Sequence, residues 1–432
     1  MTETSAVRVL VTDACRGAAV ATIRALARGG YRVYAADASP HAPGMASRYV
    51  SERVVYACPM EDPDRFVRDV LDAVDRHRID IIIPVTERAL LPLESARDQF
   101  EDRCCVPWAP REAMATVRNK AETFRLAEAL DVPVPRTRRV SCAEEAVQCA
   151  DGLGWPVVLK PVSSHTLAED HAVEFWSVSY ARDPRQLREQ MRQYAGRCDV
   201  LLQEYFQGDG VGVEVLAHEG RVLCAFQHRR LREVPLSGGA SSLRRSEDVH
   251  PDLYEQTQRL IARLKWTGLA MVEFKLNSAQ QSRLMEINGR IWGSLPVAIA
   301  AGMDFPTRLC RLLLEGPPDE AAAPDTEYRR GLHVQSLQKE LSWMIRVLRR
   351  SDVHPLAQLP PRWAVLSVMA DLFKPHYRFD ILSLRDPLPG VRLLTNMLPR
   401  AGKKTSSHDD AAAKLSPPTP VTSAANSPVH KA

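Results

Sequence analysis

Long apolar runs are missing from this sequence. No stretch approaches the roughly 18–20 residues that a membrane-spanning helix needs, so no span is expected. Met1–Arg8 lacks a basic patch followed by an apolar segment, and a signal peptide is not expected either. Cysteine is sparse and unpatterned: nine residues, an odd number, with no Cys-x-x-Cys spacing. Cys104 and Cys105 are adjacent and poorly placed to bridge each other. Scattered single thiols point to a reducing, cytoplasmic setting and away from a disulfide frame or zinc site. The twelve histidines form no His-x-x-x-His pair, so no dedicated transition-metal site is expected. Charge of one sign is scarce as well. The formal net charge is +4, without the dense basic stripe that nucleic acid requires. Internal repeats are absent.

What is present suits a multi-domain globular chain of 432 residues. Val7–Thr12 is a β-branched run, followed by a helical pattern from Ala18 to Arg28 that Gly29-Gly30 stops. Tyr31–Ala36 and Asp80–Val85 read as strands, with helix-period sequence between them from Pro63 to His77. This alternation predicts a parallel, doubly wound sheet. Asp37 at the end of the second strand invites a dinucleotide reading. However, the first turn, Thr12-Asp13-Ala14-Cys15-Arg16-Gly17, lacks the Gly-x-Gly-x-x-Gly spacing that admits a pyrophosphate.

The character changes near Arg118. Asn119-Lys120 opens a helix over Ala121–Leu130, and a second helix covers Ala143–Asp151. Val157–Val162 is a strand carrying Lys160 in an apolar run. Pro184–Ala195 is helical, and Asp199–Tyr205 is a strand. Gly208-Asp209-Gly210-Val211-Gly212 reads as a turn into a strand over Val213–His218. Arg221–Arg229 is a further strand, Asp252–Lys265 an amphipathic helix, and Ala270–Leu276 and Ser282–Gly289 a hairpin. Pro317–Thr326 is a linker. Residues from about Leu332 to Leu398 alternate helical segments with prolines, and the Ser/Pro/Ala/Lys sequence beyond Ala401 has too little apolar content to pack.

The hairpin carries the chemistry. With Ser278–Gln281 as the turn, Asn277 pairs with Ser282 and Glu273 faces Glu286. Alternation then puts Glu273, Glu286, Asn288 and Arg290 on one face, with Met285 and Ile287 on the apolar one. Two carboxylates directly across a sheet pair repel by ~0.2–1 kcal/mol. A hard divalent cation removes that conflict, since magnesium takes oxygen ligands and often one or two carboxylates plus phosphates. Arg290 could brace a phosphoryl oxygen. The competing reading is a solvent-facing strand whose glutamates pair with Lys275 and Arg283. Likewise, a lysine in a buried strand is costly unless an anion meets it, so Lys160 calls for either a triphosphate or an internal acid.

Together these residues resemble the ATP-grasp superfamily, especially its carbamoyl-phosphate synthase and biotin carboxylase branch, over roughly Val7–Arg311. By this resemblance Glu273 and Glu286 are magnesium (or manganese) ligands with Asn288 auxiliary, and Arg290 stabilises an acyl phosphate. Lys120 and Lys160 match the two phosphate-contacting lysines. Gln203-Glu204-Tyr205-Phe206 matches the inter-lobe hinge that contacts adenine and ribose. The architecture implied is α/β, with α+β character in the catalytic part. It has a Rossmann-like pre-ATP-grasp domain (1–112), a two-lobed ATP-grasp domain (113–316, mobile lobe about 130–205), a mostly helical extension (327–400) and a disordered tail (401–432). One departure stands out: family members commonly carry a glycine-rich flap after the second lysine, whereas Pro161–His171 contains no glycine. Its Ser163, Ser164 and Thr166 hydroxyls could donate to phosphate, with His165 nearby.

The activity implied is ATP-dependent activation of a carboxylate as an acyl phosphate for attack by an amine. Carboxylase or carbamoyl-phosphate-type chemistry on bicarbonate is an alternative, as is a catalytically silent ATP-binding scaffold. Arg229, in the run Gln227–Arg232 before a Gly/Ser segment (Ser237–Ser242), joins Lys160 and Arg290 as a candidate catalytic residue; a plain basic hairpin is the equal alternative. Trp292, Gly293 and Ser294 could floor an acceptor pocket. The carboxylate and amine could be small molecules or lipid- or polymer-linked, and a homodimer is compatible with the resemblance. Gln335–Arg350 is a basic amphipathic helix with Leu337, Leu341, Met344, Ile345 and Leu348 on its apolar side. It reads as a helix packed on the core with its basic face in water, or as a contact with a membrane surface or partner.

Overall fold

The protein is described from a computed structural model covering residues 6–162, 165–167, 173–175, 178–194, 198–236, 238–319, 322–350, 359–371 and 374–397. The expected tail beyond residue 401 lies outside these, as do Ser163, Ser164 and Ser237.

The N-terminal sheet is parallel, in the order β3-β2-β1-β4, with β1 at Arg8–Val11, β2 at Arg32–Asp37, β3 at Val50–Val55 and β4 at Ile81–Ile83. Helices α1 (Gly17–Arg28), α2 (Pro63–His77) and α3 (Glu87–Ser95) join and follow these strands. The ends of α2 were legible in the sequence. Asp62 caps its N-terminus by accepting from the Arg65 amide, Pro63 occupies the first turn, and Arg78 closes it in the left-handed region. Strand β3 and helix α3 were not anticipated; β3 is largely exposed and carries no clean alternation. The Asp37 carboxylate accepts amide hydrogen bonds from Cys15 and Ser39, both at 2.8 Å. The chain's own acid therefore occupies the first turn, where a dinucleotide pyrophosphate would need the backbone.

After α4 (Arg111–Arg118) and α5 (Lys120–Ala129) come two sheets. The smaller is antiparallel, β5-β10-β6-β9, from β5 (Thr137–Val140), β6 (Val157–Pro161), β9 (Ser179–Ala181) and β10 (Val200–Glu204). Helices α6 (Ala143–Leu153) and α7 (Pro184–Met191) cover it, and β7 (His165–Leu167) pairs with β8 (Val173–Phe175) in a separate two-stranded hairpin. The larger sheet has seven strands in the order β15-β14-β11-β12-β13-β16-β17. Its members are β11 (Asp209–His218), β12 (Arg221–Val234), β13 (Ala240–Glu247), β14 (Gly268–Leu276), β15 (Ser282–Asn288), β16 (His333–Gln335) and β17 (Tyr377–Phe379). Helix α8 (Pro251–Arg263) packs on one face, burying Leu253, Leu260 and Ile261 against Val213, Val215 and Val272. On the other, α9 (Leu295–Ala301) and α10 (Phe305–Glu315) join a core shared with the parallel sheet.

Gly208–Gly212 is not a turn: from Asp209 it is strand. Gly210 and Gly212 stand on one face, where a Cβ at Gly212 would come within 2.4 Å of His228 Cε1 and one at Gly210 within 2.9 Å of Arg230 Cδ. The glycines leave room for neighbouring side chains, the strand use of glycine. The extension is helical as expected, with α11 (Leu337–Arg349), α12 (Val365–Asp371) and α13 (Leu388–Met397), but it also contributes β16 and β17 to the large sheet.

Helix α11 packs on the core by a different face from the one expected. Glu340, Trp343 and Val347 are buried, whereas Leu341, Ile345 and Leu348 are exposed. Arg232 decides the rotation by pairing with Glu340 at 2.9 Å and with Asp371 of α12 at 2.8 Å, its guanidinium over the Trp343 ring. The extension also grips α1 and the segment after β2. Asp386 takes Arg24 of α1 (2.9 Å), the Ser47 hydroxyl (2.7 Å) and the Arg48 amide (2.9 Å). All nine cysteines are free, and no helix among the described residues is long and apolar enough to cross a membrane.

Candidate active site

The β14–β15 hairpin turns at Asn277–Gln281, where the Asn277 side chain accepts from the Gln281 amide at 2.9 Å. Pairing starts one residue earlier than expected. Leu276, not Asn277, lies across from Ser282, followed by Lys275↔Arg283 and Phe274↔Leu284. A bulge then inserts Met285, and Glu273 faces Glu286. The glutamate pair is as the alternation predicts, but Met285 is not on the apolar face. It lines the cleft, its sulfur 3.9 Å from Lys160 Nζ, while Leu284 and Ile287 join the core.

A cleft of about 410 Å³ opens over this face, between the two sheets. Lys120, Lys160, Arg230, Glu273, Glu286, Asn288 and Arg290 all line it, with Trp292, Gly293 and Ser294 at one side. Lys120 begins α5, whose N-cap Asn119 accepts amide bonds from Ala121 (3.0 Å) and Glu122 (3.3 Å), and its own amide donates to Val162 at the end of β6. Lys160 projects from β6. A second cavity of about 250 Å³ lies behind the hairpin, shared by Glu87, Arg118, Lys120, Glu286, Asn288 and Arg290.

The charges in the cleft are strongly coupled. Burial raises the Glu286 pKa, but Lys120, a 3.0 Å bond from the Asn288 amide, Lys160 and Arg290 together outweigh it and hold the carboxyl below its ordinary value. Glu273 is pushed up by burial and by the charge of Glu286, and the Arg230 guanidinium only partly offsets this. Burial drags Lys160 down to about 8, against the pull of both glutamates.

Of the two neighbouring arginines, Arg230 lines the cleft and Arg229, the expected candidate, does not. Arg229 lies opposite Val211, which pairs with Phe274, so it shares the far face. There it meets Glu247 and Asp209, each at 2.9 Å, and it does not line the cleft. Arg230 is on the glutamates' face, against Glu273 in a close ion pair and 3.3 Å from Glu233. Strand parity from the hairpin was the signal that could have found it. The reading in which Lys275 and Arg283 take up the glutamates does not hold. Lys275 lies over the Tyr205 ring and Arg283 over Phe206.

Gln203–Phe206, expected as the hinge, do not line the cleft. Glu204 is paired with Arg136 at 2.5 Å. Gln203 is buried and donates to Thr137 at 3.0 Å, and Tyr205 meets the cleft-lining Tyr180 edge-on. Beneath the cleft floor the Ser294 hydroxyl donates to Glu214 (3.0 Å), whose carboxylate is 2.9 Å from His228 Nδ1, all three buried. Within Pro161–His171, the segment expected as the flap, β7 pairs with β8 beyond its end, and residues 163–164 and 168–171 lie outside the described residues.

The donor set suits one kind of metal. No group of three or more His, Cys, Asp or Glu gathers among the described residues, so they form no all-protein cage. Two carboxylates and an amide oxygen beside four cationic side chains instead fit magnesium held jointly with substrate phosphates.

Two family profiles match the chain: "ATP-grasp domain" over residues 110–202 and "ATP-grasp in the biosynthetic pathway with Ter operon" over residues 197–340. Among characterised proteins, the formate-dependent phosphoribosylglycinamide formyltransferase of Synechococcus sp. (strain CC9605) is 36% identical over 137 residues, 32% of either chain. That of Ignicoccus hospitalis is 35% identical over 153 residues, 33% of this chain and 34% of its own. The match therefore spans about a third of the length of these relatives. Among solved structures, biotin carboxylase from Campylobacter jejuni superposes with a TM-score of 0.60 at 16% identity, covering 76% of this chain and 74% of that one. N5-carboxyaminoimidazole synthetase from Staphylococcus aureus gives 0.59 at 14% identity, with 80% and 86% covered. The biotin carboxylase domain of Hydrogenobacter thermophilus 2-oxoglutarate carboxylase, solved with MgADP and bicarbonate, gives 0.59 at 17% identity, with 76% and 73% covered. With two adjoining ATP-grasp profiles running from residue 110 to residue 340 and this fold around them, the chain belongs to the ATP-grasp superfamily.

Proposed function

We propose that the chain is an ATP-dependent carboxylate–amine ligase. The observation that carries this is the cross-strand pair Glu273–Glu286 in a cleft where Lys120, Lys160, Arg230 and Arg290 converge. Such a concentration of opposed charge serves phosphoryl transfer, whose transition state spreads negative charge over several oxygens. Glu273, Glu286 and Asn288 would hold magnesium or manganese, which when bound neutralises phosphate charge. Lys120 and Lys160 would grip the phosphates of ATP, and Arg290 would steady the acyl phosphate formed on the substrate carboxylate. The hinge Gln203–Phe206 would seat the adenosine. The lobe at about 130–205, carrying Lys160, would close and exclude water that could hydrolyse the acyl phosphate. The amine would approach past Trp292–Ser294 or through the cavity at Glu87.

The test is ADP release from the full chain with magnesium and ATP, across a panel of carboxylates, amines and bicarbonate, with Glu286→Gln as control. ADP release that needs a particular carboxylate–amine pair and disappears in Glu286→Gln supports the ligase. Release with bicarbonate alone would favour carboxylase-type chemistry. Nucleotide binding without turnover on any substrate would favour a silent scaffold.

A further inference from the structure

The C-terminal helices show a second apolar face after the first has been buried. Inward, Trp343 and Val347 of α11 pack with Val368 of α12, and Leu393 of α13 packs with Val20 and Ile381. Outward, ten of the fourteen large apolar side chains exposed among the described residues fall between Leu341 and Leu394. They come in threes at helical spacing: Leu341, Ile345 and Leu348 on α11, then Trp363, Leu366 and Met369 along α12 and the turn before it. Leu388, Val391 and Leu394 repeat the spacing on α13. Apolar exposure concentrated in this way marks an interaction surface.

The charge around these stripes is one-sided. All nine described lysines and arginines between Leu337 and Met397 are partly or fully exposed. The four described acids of the same segment, Glu340, Asp371, Asp380 and Asp386, are buried. They are committed to Arg232, Arg244 and Arg24. The whole chain is nearly balanced, with 57 basic and 53 acidic residues, so the asymmetry belongs to this surface. Leu341 and Ile345 share a shallow groove with Arg346, Arg349 and Met397, which joins α11 to the end of α13.

We infer that this face docks on an anionic lipid bilayer. Apolar side chains on short helices, rimmed by arginine, enter the headgroup–acyl boundary while the guanidinium groups meet lipid phosphates. A second copy of the chain is disfavoured as the occupant, because a two-fold interface would set this basic face against itself. Lys339, two residues before Leu341, lines the cleft, so a docked α11 holds the cleft beside the membrane surface. The inference stands apart from the ligase reading, since none of its residues is assigned to catalysis.

The test is sedimentation of the full chain with sucrose-loaded vesicles of phosphatidylcholine alone and of phosphatidylcholine mixed with phosphatidylglycerol. Binding is expected to the anionic vesicles only, to weaken with salt, and to shift Trp emission to the blue in wild type but not in Trp363→Phe. Ile345→Asp with Leu348→Asp should abolish it, and Arg349→Glu with Arg362→Glu should weaken it by at least about fivefold per arginine. All four positions are exposed, and unchanged melting and ADP release would show the variants intact. The inference is overturned if wild type ignores anionic vesicles, if both double variants bind like wild type, or if the face instead drives concentration-dependent dimers that Ile345→Asp with Leu348→Asp dissolves.

Discussion

Lys160 offers the sharpest quantitative test of the cleft. Its pKa falls from 10.5 to about 8 because burial outweighs the attraction of Glu286 and Glu273. At about 1.36 kcal/mol per pKa unit, holding the lysine charged in the cleft without nucleotide costs about 3 kcal/mol. The perturbation is Lys160→Met, which keeps the length and suits a site already walled by Met285. The folded form releases the proton near pH 8, whereas the unfolded chain keeps it to about 10.4, so between these values the unfolded state binds more protons. Wild-type stability should therefore rise from pH 8 to pH 10 relative to the variant. At pH 7 the wild type bears the full cost and Lys160→Met should be more stable by up to about 3 kcal/mol. Urea denaturation of both proteins at pH 7 and pH 10 measures the difference of differences, cancelling other titrations. Nucleotide should reverse the balance: a triphosphate restores the lysine's proton, so binding near pH 8 takes up protons and weakens as pH rises further. Calorimetry in buffers of different ionisation enthalpy reads that uptake. A variant no more stable than wild type at pH 7, together with proton-neutral nucleotide binding, would refute the buried, anion-seeking lysine.

Other perturbations follow from the same geometry. Asp386→Ala strips the buried Arg24 of its carboxylate partner, leaving only backbone carbonyls, and should cost about 3–5 kcal/mol in urea denaturation; a loss under about 1 kcal/mol would mean that Arg24 finds water. Gly212→Ala drives a Cβ into the His228 ring and should destabilise by about 1–3 kcal/mol, measurable by the same method, with no effect if β11 instead shifts freely. Arg230→Ala should lower ADP release at least about tenfold, whereas Arg229→Ala, on the opposite face, should leave it within about threefold once the variant is shown to be folded. Equal losses in the two arginine variants would contradict the parity assignment.

Much of this protein was readable before any fold was known, because its signals were local. Turn position and strand alternation pointed to Glu273 across from Glu286, a pairing the fold reaches through a bulge, and the cost of opposed carboxylates gave it meaning. Lys160 stood out because a charge in an apolar strand needs a reason, and Asp62, Pro63 and Arg78 delimit α2 by rules that act within one turn. What escaped was everything that depends on a partner far away in sequence. The bulge at Met285 turns a core side chain into a cleft wall and is visible only in the pairing of two strands. The choice of Arg230 over Arg229 rests on which neighbour each faces across β11. The glycines of Gly208–Gly212 look like a turn until His228 and Arg230 are seen to need their space. Helix α11 has two candidate apolar faces, and its sequence cannot rank them: Arg232, about a hundred residues earlier, draws Glu340 inward and leaves Leu341, Ile345 and Leu348 outside. The sequence by itself determined the identity and periodicity of the reactive groups, since these follow from backbone geometry. Which face each group presents, and to whom, was decided only by tertiary packing, because burial is a contest between distant surfaces that no local pattern records.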